Sequence, residues 1–322
     1  MTRDRPDLAG SHFTLLANTA SGNKDTSQDI AMIRARIEPQ VARFSLVEIH
    51  KGDPVQARAR AAVETGADII GVLGGDGTQT AAAGVLAGTE AAMAVLPGGT
   101  FNYFSRGLGG GETLEEALHR LEHGRIEARD LAEVNGHVFL NNASFGLYPA
   151  ILERREKIYH RWGRSRLLAY WSVILSLAEL RDPMRLSLSA RGKKRDIVTP
   201  LIFAARSHYQ LESFGLDGAE AIRNGQFVLL IARGQRRREL VVAALRLAFG
   251  QAARGRDFEV IIADDILIES RRNHRLVALD GEKQRIEGPW HLQIREDALK
   301  VIVPLAQAPD AAGGEDLLQG RG

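Results

Sequence analysis

The chain has 322 residues, 44% of them hydrophobic and 25% charged, with a formal net charge of only +2. That length exceeds what one compact core usually holds, so two domains are expected, and the near-neutral balance offers no global field for nucleic acid. The absence of cysteine excludes disulfides, thiolate nucleophiles and cysteine-bound metals. The opening "MTRDRPDLAGSHFTLLAN" holds no apolar run of signal-peptide length, and no stretch reaches the ~20 apolar residues of a membrane span. A cytoplasmic location is the expectation.

In chain order, "FTLLAN" (13–18) reads as a buried strand, and "SQDIAMIRARI" (27–37) as a helix with Ile30, Ile33 and Ile37 on one face. Pro39 ends or kinks that helix. "SLVEIH" (45–50) is a strand, and a second helix starts with Pro54 in its first turn. "DIIGVL" (68–73), an alanine-rich helix, "AAMAVLP" (91–97) and the helix "ETLEEALHRLEHG" (112–124) continue the alternation. Strands alternating with helices indicate a parallel sheet in an α/β layer.

After about residue 125 the pattern becomes short strand-like runs broken by Gly, Asn and Asp, among them "HVFLNNASFG", "DIVTPLIFAARS", "GQFVLLIAR", "DFEVIIADDILIES" and "RLVALDGE". This predicts an antiparallel β-rich domain at 131–295, with helical inserts at about 148–181 and 236–249. The α/β domain spans 10–130, with about 296–305 as a candidate completing segment, and 306–322 reads as a disordered tail.

Between the 68–73 strand and its helix lies "GGDGT" (74–78). Glycines after a strand let N–H groups turn inward, and the following helix adds its positive end, which favours phosphate. The loop lacks the lysine of the P-loop and the spacing of dinucleotide folds. A carboxylate in a phosphate cradle makes sense if Mg²⁺ bridges Asp76 to the phosphates, or if Asp76 takes a proton from a substrate hydroxyl. The plainer reading is an Asp-Gly turn in which Asp76 caps the helix. Two more loops follow strands. "ANTASGNKD" (17–25) carries Asn18, Ser21, Gly22 and Lys24, and "LPGGTFNYFSRGLGG" (96–110) carries Thr100, Asn102 and Arg106. Ligands of open parallel sheets sit beyond the carboxyl ends of the strands, where all three loops fall. Far downstream, "LVALDGE" sets Asp280 and Glu282 after an apolar strand, where Asp280-Gly281 also reads as a hairpin turn.

"NTASG" (18–22), "GGDGT" (74–78), "PGGTFN" (97–102) and "DGE" (280–282), in that order, resemble the diacylglycerol kinase catalytic domain family, which includes bacterial soluble lipid kinases and sphingosine and ceramide kinases. "GGDGT" alone is shared with NAD kinases and, loosely, phosphofructokinases. The resemblance runs over roughly 12–304. It implies a Rossmann-like α/β domain followed by a β-sandwich lipid-binding domain, and γ-phosphoryl transfer from ATP to a lipid hydroxyl with Mg²⁺. It implies nucleotide contacts from Asn18, Ser21, Gly22, Lys24, Gly74, Gly75, Gly77, Thr78, Thr100, Asn102 and Glu282. Asp280 would be the general base, or Asp76 as in sphingosine kinases, and Asp76 and Glu282 would serve metal. The chain departs from the family pattern at Thr19 (usually Pro), Gly98 (usually Leu), Tyr103 (often Asp or His) and Asn224, which stands where an acid contributes to a structural Mg²⁺ site.

A lipid kinase must reach a bilayer, and "ERREKIYHRWGRSRLLAYWSVILSLAEL" (153–180) joins a basic half to an apolar half, consistent with peripheral contact at the inner face of the membrane or with a buried helix. The cluster "RGQRRREL" (233–240) reads as a solvated helix start. His119 and His123, with Arg-Leu-Glu between them, read as a surface pair rather than a metal site. A homodimer is compatible with the family. Alternatives are a kinase of the NAD kinase type and a non-catalytic binding protein of the same fold.

Overall fold

A strand whose side chains are apolar on both faces needs a layer on each side. Three such strands lie in the first third of the chain: β1 (His12–Asn18), β3 (Ile69–Gly74) and β4 (Ala92–Pro97), nearly all of their residues buried. With the edge strand β2 (Arg43–Ile49), only one of whose residues is buried, they form a parallel array in the order β2-β1-β3-β4. Helices cover both faces. On one side Ala59 and Ala62 of α2 (Val55–Glu64) and Ala82, Ala83 and Leu86 of α3 (Asp76–Leu86) pack on the sheet. On the other, Ile33 and Ile37 of α1 (Thr26–Ile37) meet Ala117, Leu118 and Leu121 of α5 (Leu114–His123). Thr113 begins α5 with a capping box closed by Glu116.

This computed structural model describes residues 5–20, 26–99, 102–109, 113–146, 183–213, 215–234, 257–270 and 274–305, together with 239, 242 and 246. The predicted insert at 148–181, the membrane-contact segment 153–180, most of 233–249 and the tail 306–322 lie outside them. Among the described residues no helix is long and apolar enough to cross a membrane.

One long strand joins the two halves. The end of β16 (Trp290–Val303) lies parallel to β4, and its beginning is antiparallel to β13 (Asp265–Ser270). Along its length it pairs with β5 (Arg125–Val134), with a register break between Arg295 and Leu299. Sheet order then runs on through β13 to β8 (Met184–Ala190) and β9 (Lys193–Thr199). A second, antiparallel sheet faces this region, in the order β12 (Phe258–Ala263), β11 (Phe227–Ala232), β10 (Leu201–Ala205), β7 (Asn142–Gly146), β14 (His274–Leu279), β15 (Glu282–Glu287). The two sheets bury one core between them, with Phe139, Leu188, Ile268 and Trp290 from one side and Phe145, Phe227 and Val277 from the other. Trp290 is fully buried, stands 5.5 Å from the Phe145 ring, and donates its indole N–H to the Ile286 carbonyl at 2.8 Å. The expected α/β-then-sandwich architecture is present.

Local readings differ in places. "DIVTPLIFAARS" is two strands, β9 and β10, because Pro200 cannot donate to a ladder. "DFEVIIADDILIES" likewise divides at Asp264 into β12 and β13, which belong to different sheets. Three short helices went unread: α4 (Tyr103–Gly107) in the second glycine loop, and α6 (His208–Ser213) and α7 (Ala219–Arg223) between β10 and β11. Each is five or six residues long, too short to show a helical period. His119 and His123 are exposed, their rings 4.4 Å apart.

Candidate active site

The strand register places the ends of β1, β3 and β4 side by side, since Ala17 is level with Leu73 and Gly74 with Pro97. The three loops therefore leave one edge of the sheet together. Asn18 crosses from the first to the second, donating its amide to Thr78 Oγ1 at 2.8 Å while its Oδ1 accepts from the Ala20 N–H at 3.0 Å. The second and third loops touch backbone to backbone. Gly98 N donates to Gly74 O at 3.0 Å, and a Cβ on Gly99 would lie 2.6 Å from Gly75 Cα. Part of the glycine content thus permits this contact, apart from any ligand. Asn102, at φ 50° and buried, closes the third loop by exchanging two hydrogen bonds with Gly99, both 3.1 Å. Ser21, Gly22, Lys24 and Thr100 lie outside the described residues.

Asp76 does not cap its helix. Gly75 holds the N-cap position and no side chain caps it, while Asp76 enters the first turn with its carboxylate aimed across at α4. Its Oδ1 accepts from the Phe104 N–H and from Asn141 Nδ2, each at 3.3 Å. Burial raises the carboxyl above the ordinary range, opposed by these N–H groups and by those of Asn102 and Tyr103.

Asp280 and Gly281 are the two turn residues of the β14–β15 hairpin, both at positive φ (48° and 85°), with Leu279 opposite Glu282. The turn reading and the functional reading of "DGE" are compatible, because the hairpin carries the Asp280 carboxylate inward. Its Oδ1 accepts from the Asn141 and Asn142 N–H groups at 2.7 and 2.9 Å, and its Oδ2 from the Leu140 N–H at 2.7 Å and the Thr80 hydroxyl at 2.5 Å. Burial pushes this carboxyl up to about 6, against the pull of those four donors. Glu282 is exposed and reaches over Gly77, where an added Cβ would collide with its carboxylate.

Asn141 is the residue that sequence reasoning missed. Its main chain binds Asp280 and its side chain binds Asp76, so one amide joins the acids of both halves. A signal existed: Asn141 and Asn142 are consecutive buried amides at the head of an apolar strand, and a buried polar side chain needs a reason. Thr80, four residues after Asp76, was missed too, since a threonine inside a helix carries no mark of its partner.

Two cavities flank the first turns of α3. One, of about 230 Å³, is bordered by Gly77, Thr80, Asp280 and Glu282. The other, of about 400 Å³, lies between the two halves beside Phe104 and Asn141. Magnesium usually takes one or two carboxylates and completes its shell with phosphate oxygens and water. Glu282, which reaches over Gly77, suits that habit. Among the described residues no three His, Cys, Asp or Glu side chains converge to hold a metal unaided. Asn224 caps the C-terminal end of α7.

Known proteins resemble this chain in sequence and in fold. A Mycobacterium tuberculosis protein named diacylglycerol kinase is 31% identical over 200 residues, covering 59% of this chain and 62% of that protein. A Staphylococcus haemolyticus relative is 29% identical over 142 residues, covering 42% and 46%. The matches thus span about half to three fifths of these curated relatives. A solved structure described as a diacylglycerol kinase from Bacillus anthracis superposes with a TM-score of 0.69 at 20% identity, covering 92% of this chain and 98% of that one, which is a likeness of fold. The profile of the diacylglycerol kinase catalytic domain matches residues 12–134. That stretch holds all three glycine loops, and over it the chain is similar to the diacylglycerol kinase catalytic domain family.

Proposed function

We propose that the protein transfers the γ-phosphoryl group of Mg-ATP to the hydroxyl of a lipid of the diacylglycerol class, at a membrane surface. The observation that supports this best is the convergence on Asn141, which brings the glycine-loop acid and the hairpin acid to one helix end. Phosphoryl transfer asks mainly for positioning, charge neutralisation and a carboxylate that takes the hydroxyl proton. The α/β half (10–130 with the end of β16) receives the nucleotide at the ends of β1, β3 and β4, and the sandwich half receives the lipid. The N-terminal end of α3 and the turn at Gly74–Gly77 face the phosphates. Magnesium, when bound, neutralises phosphate charge, and Glu282 would hold it.

The geometry favours Asp76 as the proton acceptor. Its hydrogen bonds to Phe104 and Asn141 are long, and both of these residues border the larger cavity. Asp280, the acid preferred on sequence, has both oxygens committed to four donors, three of them main-chain groups that cannot turn away. In this reading it is a positioning residue that locks α3 to the head of β7. A second reading keeps Asp280 as base and Asp76 on the metal. It is favoured by the carboxyl's rise to about 6 and by the Thr80 hydroxyl, the one donor able to rotate and yield its place to a lipid hydroxyl.

Transfer of label from γ-labelled ATP to diacylglycerol, monoacylglycerol, ceramide, sphingosine and a polyprenol in mixed micelles tests the function. A labelled lipid that disappears with Asp76→Asn supports it. ATP binding with no lipid labelled sinks it, and favours a non-lipid acceptor or a binding role.

A further inference from the structure

The larger cavity carries more positive charge than a neutral alcohol requires. Arg129 of β5, Arg206 just after β10 and Arg223 at the end of α7 all border it, with His208 and a single acid, Asp130. Arg206 bridges the halves, giving one N–H to the Ile222 carbonyl at 2.8 Å and another to Asp130 at 3.4 Å. Arg129 and Arg223 pair with Glu127 and Glu212, neither of which borders the cavity. Three fixed cations thus face the space against one carboxylate. His208 feels that field, its imidazole held below the usual range by burial and then by Arg223.

Two donors there are unmet. The Nε–H groups of Arg129 and Arg206 are buried and have no acceptor among the described residues. Buried donors of a cation are costly to leave without a partner, so such a pair in one cavity calls for an oxygen-rich anion. Beside these charges and the polar Asn141 and Ser207, the cavity presents an apolar surface from Phe104, Leu108, Phe139 and Ile222, which suits a hydrocarbon.

We propose that this cavity binds the phosphoryl acceptor and selects a lipid alcohol that carries an anionic phosphate close to its hydroxyl, over a neutral one. This rests on the lipid kinase reading above. In the transfer, the acceptor oxygen bonds to the γ-phosphorus and the bond from that phosphorus to the β–γ bridging oxygen breaks. ADP leaves with the bridging oxygen, the hydroxyl proton passes to Asp76, and the acceptor becomes a phosphate monoester. The acceptor's phosphate stays bound by Arg129 and Arg223 throughout.

The test uses the full chain and two short-chain ligands that differ by one group, 1-acylglycerol and 1-acylglycerol 3-phosphate, with binding measured by calorimetry below their micelle concentrations. The phosphate-bearing ligand is expected to bind at least about tenfold more tightly, and Arg129→Gln and Arg223→Gln each to cut that preference by about tenfold, the size of one lost charge-assisted hydrogen bond. Arg206 is left intact because it clamps the halves together. Equal binding of the two ligands overturns the proposal. So does an Arg129→Gln variant that loses ATP affinity and keeps the lipid preference, because the anion is then the nucleotide's. Labelled transfer to the same ligands and to diacylglycerol separates this inference from its foundation. Transfer to both classes with no preference sinks the cavity assignment alone, whereas a binding preference with no transfer to any lipid sinks the kinase reading and with it the acceptor role.

Discussion

The first turn of α3 and the tip of the β14–β15 hairpin each present an aspartate next to a glycine, and the fold treats the two acids in opposite ways. Asp76 has hydrogen bonds of 3.3 Å from the Phe104 N–H and the Asn141 side chain, with the Asn102 and Tyr103 N–H groups also drawing on it. Asp280 has four of 2.5–2.9 Å, three from consecutive main-chain N–H groups. Burial raises both carboxyls. The difference lies in how short the hydrogen bonds are that each must release to do chemistry. A loosely held acid is available to a substrate, whereas an acid held on every side is a fastener. The distinction comes from partners up to 200 residues away, not from the flanking Gly-Asp-Gly or Leu-Asp-Gly.

Four experiments press on that contrast. The largest effect is expected from Asp76→Asn, which should lower lipid phosphorylation by at least ~100-fold while the melting temperature barely moves. If Asp280→Asn does the same, with no loss of stability, the roles are reversed. Asp280→Asn should instead cost about 1–3 kcal/mol at neutral pH in denaturant titrations, since an amide NH₂ must then face main-chain donors.

Its pH dependence sharpens the point. A folded-state carboxyl raised to about 6 from 3.8 adds stability that is fully present below 3.8 and lost as pH rises through about 6. The stability gap between wild type and Asp280→Asn should therefore widen as pH falls from 7 towards 4. If Asp280 were the base, the rate would instead fall as pH drops below about 6, and that acid limb would vanish in Asp280→Asn.

An effect of similar size, about 1–3 kcal/mol, is expected from Gly99→Ala, because the new Cβ must push the third loop off Gly75. A higher KM for ATP would show that the loop contact shapes the nucleotide end, and an unchanged KM would place the contact outside it. Thr80→Val, the mildest change, should cost about 0.5–1.5 kcal/mol. A rate unchanged by it fits the fastener reading, whereas a faster rate or a shifted acid limb supports displacement of Thr80 by substrate at Asp280.

Much of the site was legible in the sequence, because local rules write themselves into local patterns. Buried parallel strands need continuous apolar runs, and the loops after them need glycine, so Asn18, Gly74, Asp76 and Asn102 could be placed at one sheet edge from spacing alone. The hairpin at Asp280-Gly281 was equally visible, since two consecutive residues at positive φ favour that pair. Asn141 and Thr80 were not, because each owes its part to a partner in another element. The arginines around the larger cavity were hidden for the same reason: Arg129, Arg206 and Arg223 are spread over 95 residues, and each reads singly as a solvated charge.

By itself, then, the sequence determined the elements, the α/β-to-antiparallel order and the resemblance to a kinase family, all of which rest on periodicity, turn chemistry and short ordered motifs. Tertiary structure alone decided that β16 joins both halves into one sheet, that Asp280 faces inward onto the head of β7, and that three distant guanidinium groups share one cavity. The physical reason is range. Backbone preference acts over a few residues and leaves its record there, whereas a carboxyl's donors and a cavity's charge are set by whichever chain segments packing brings together.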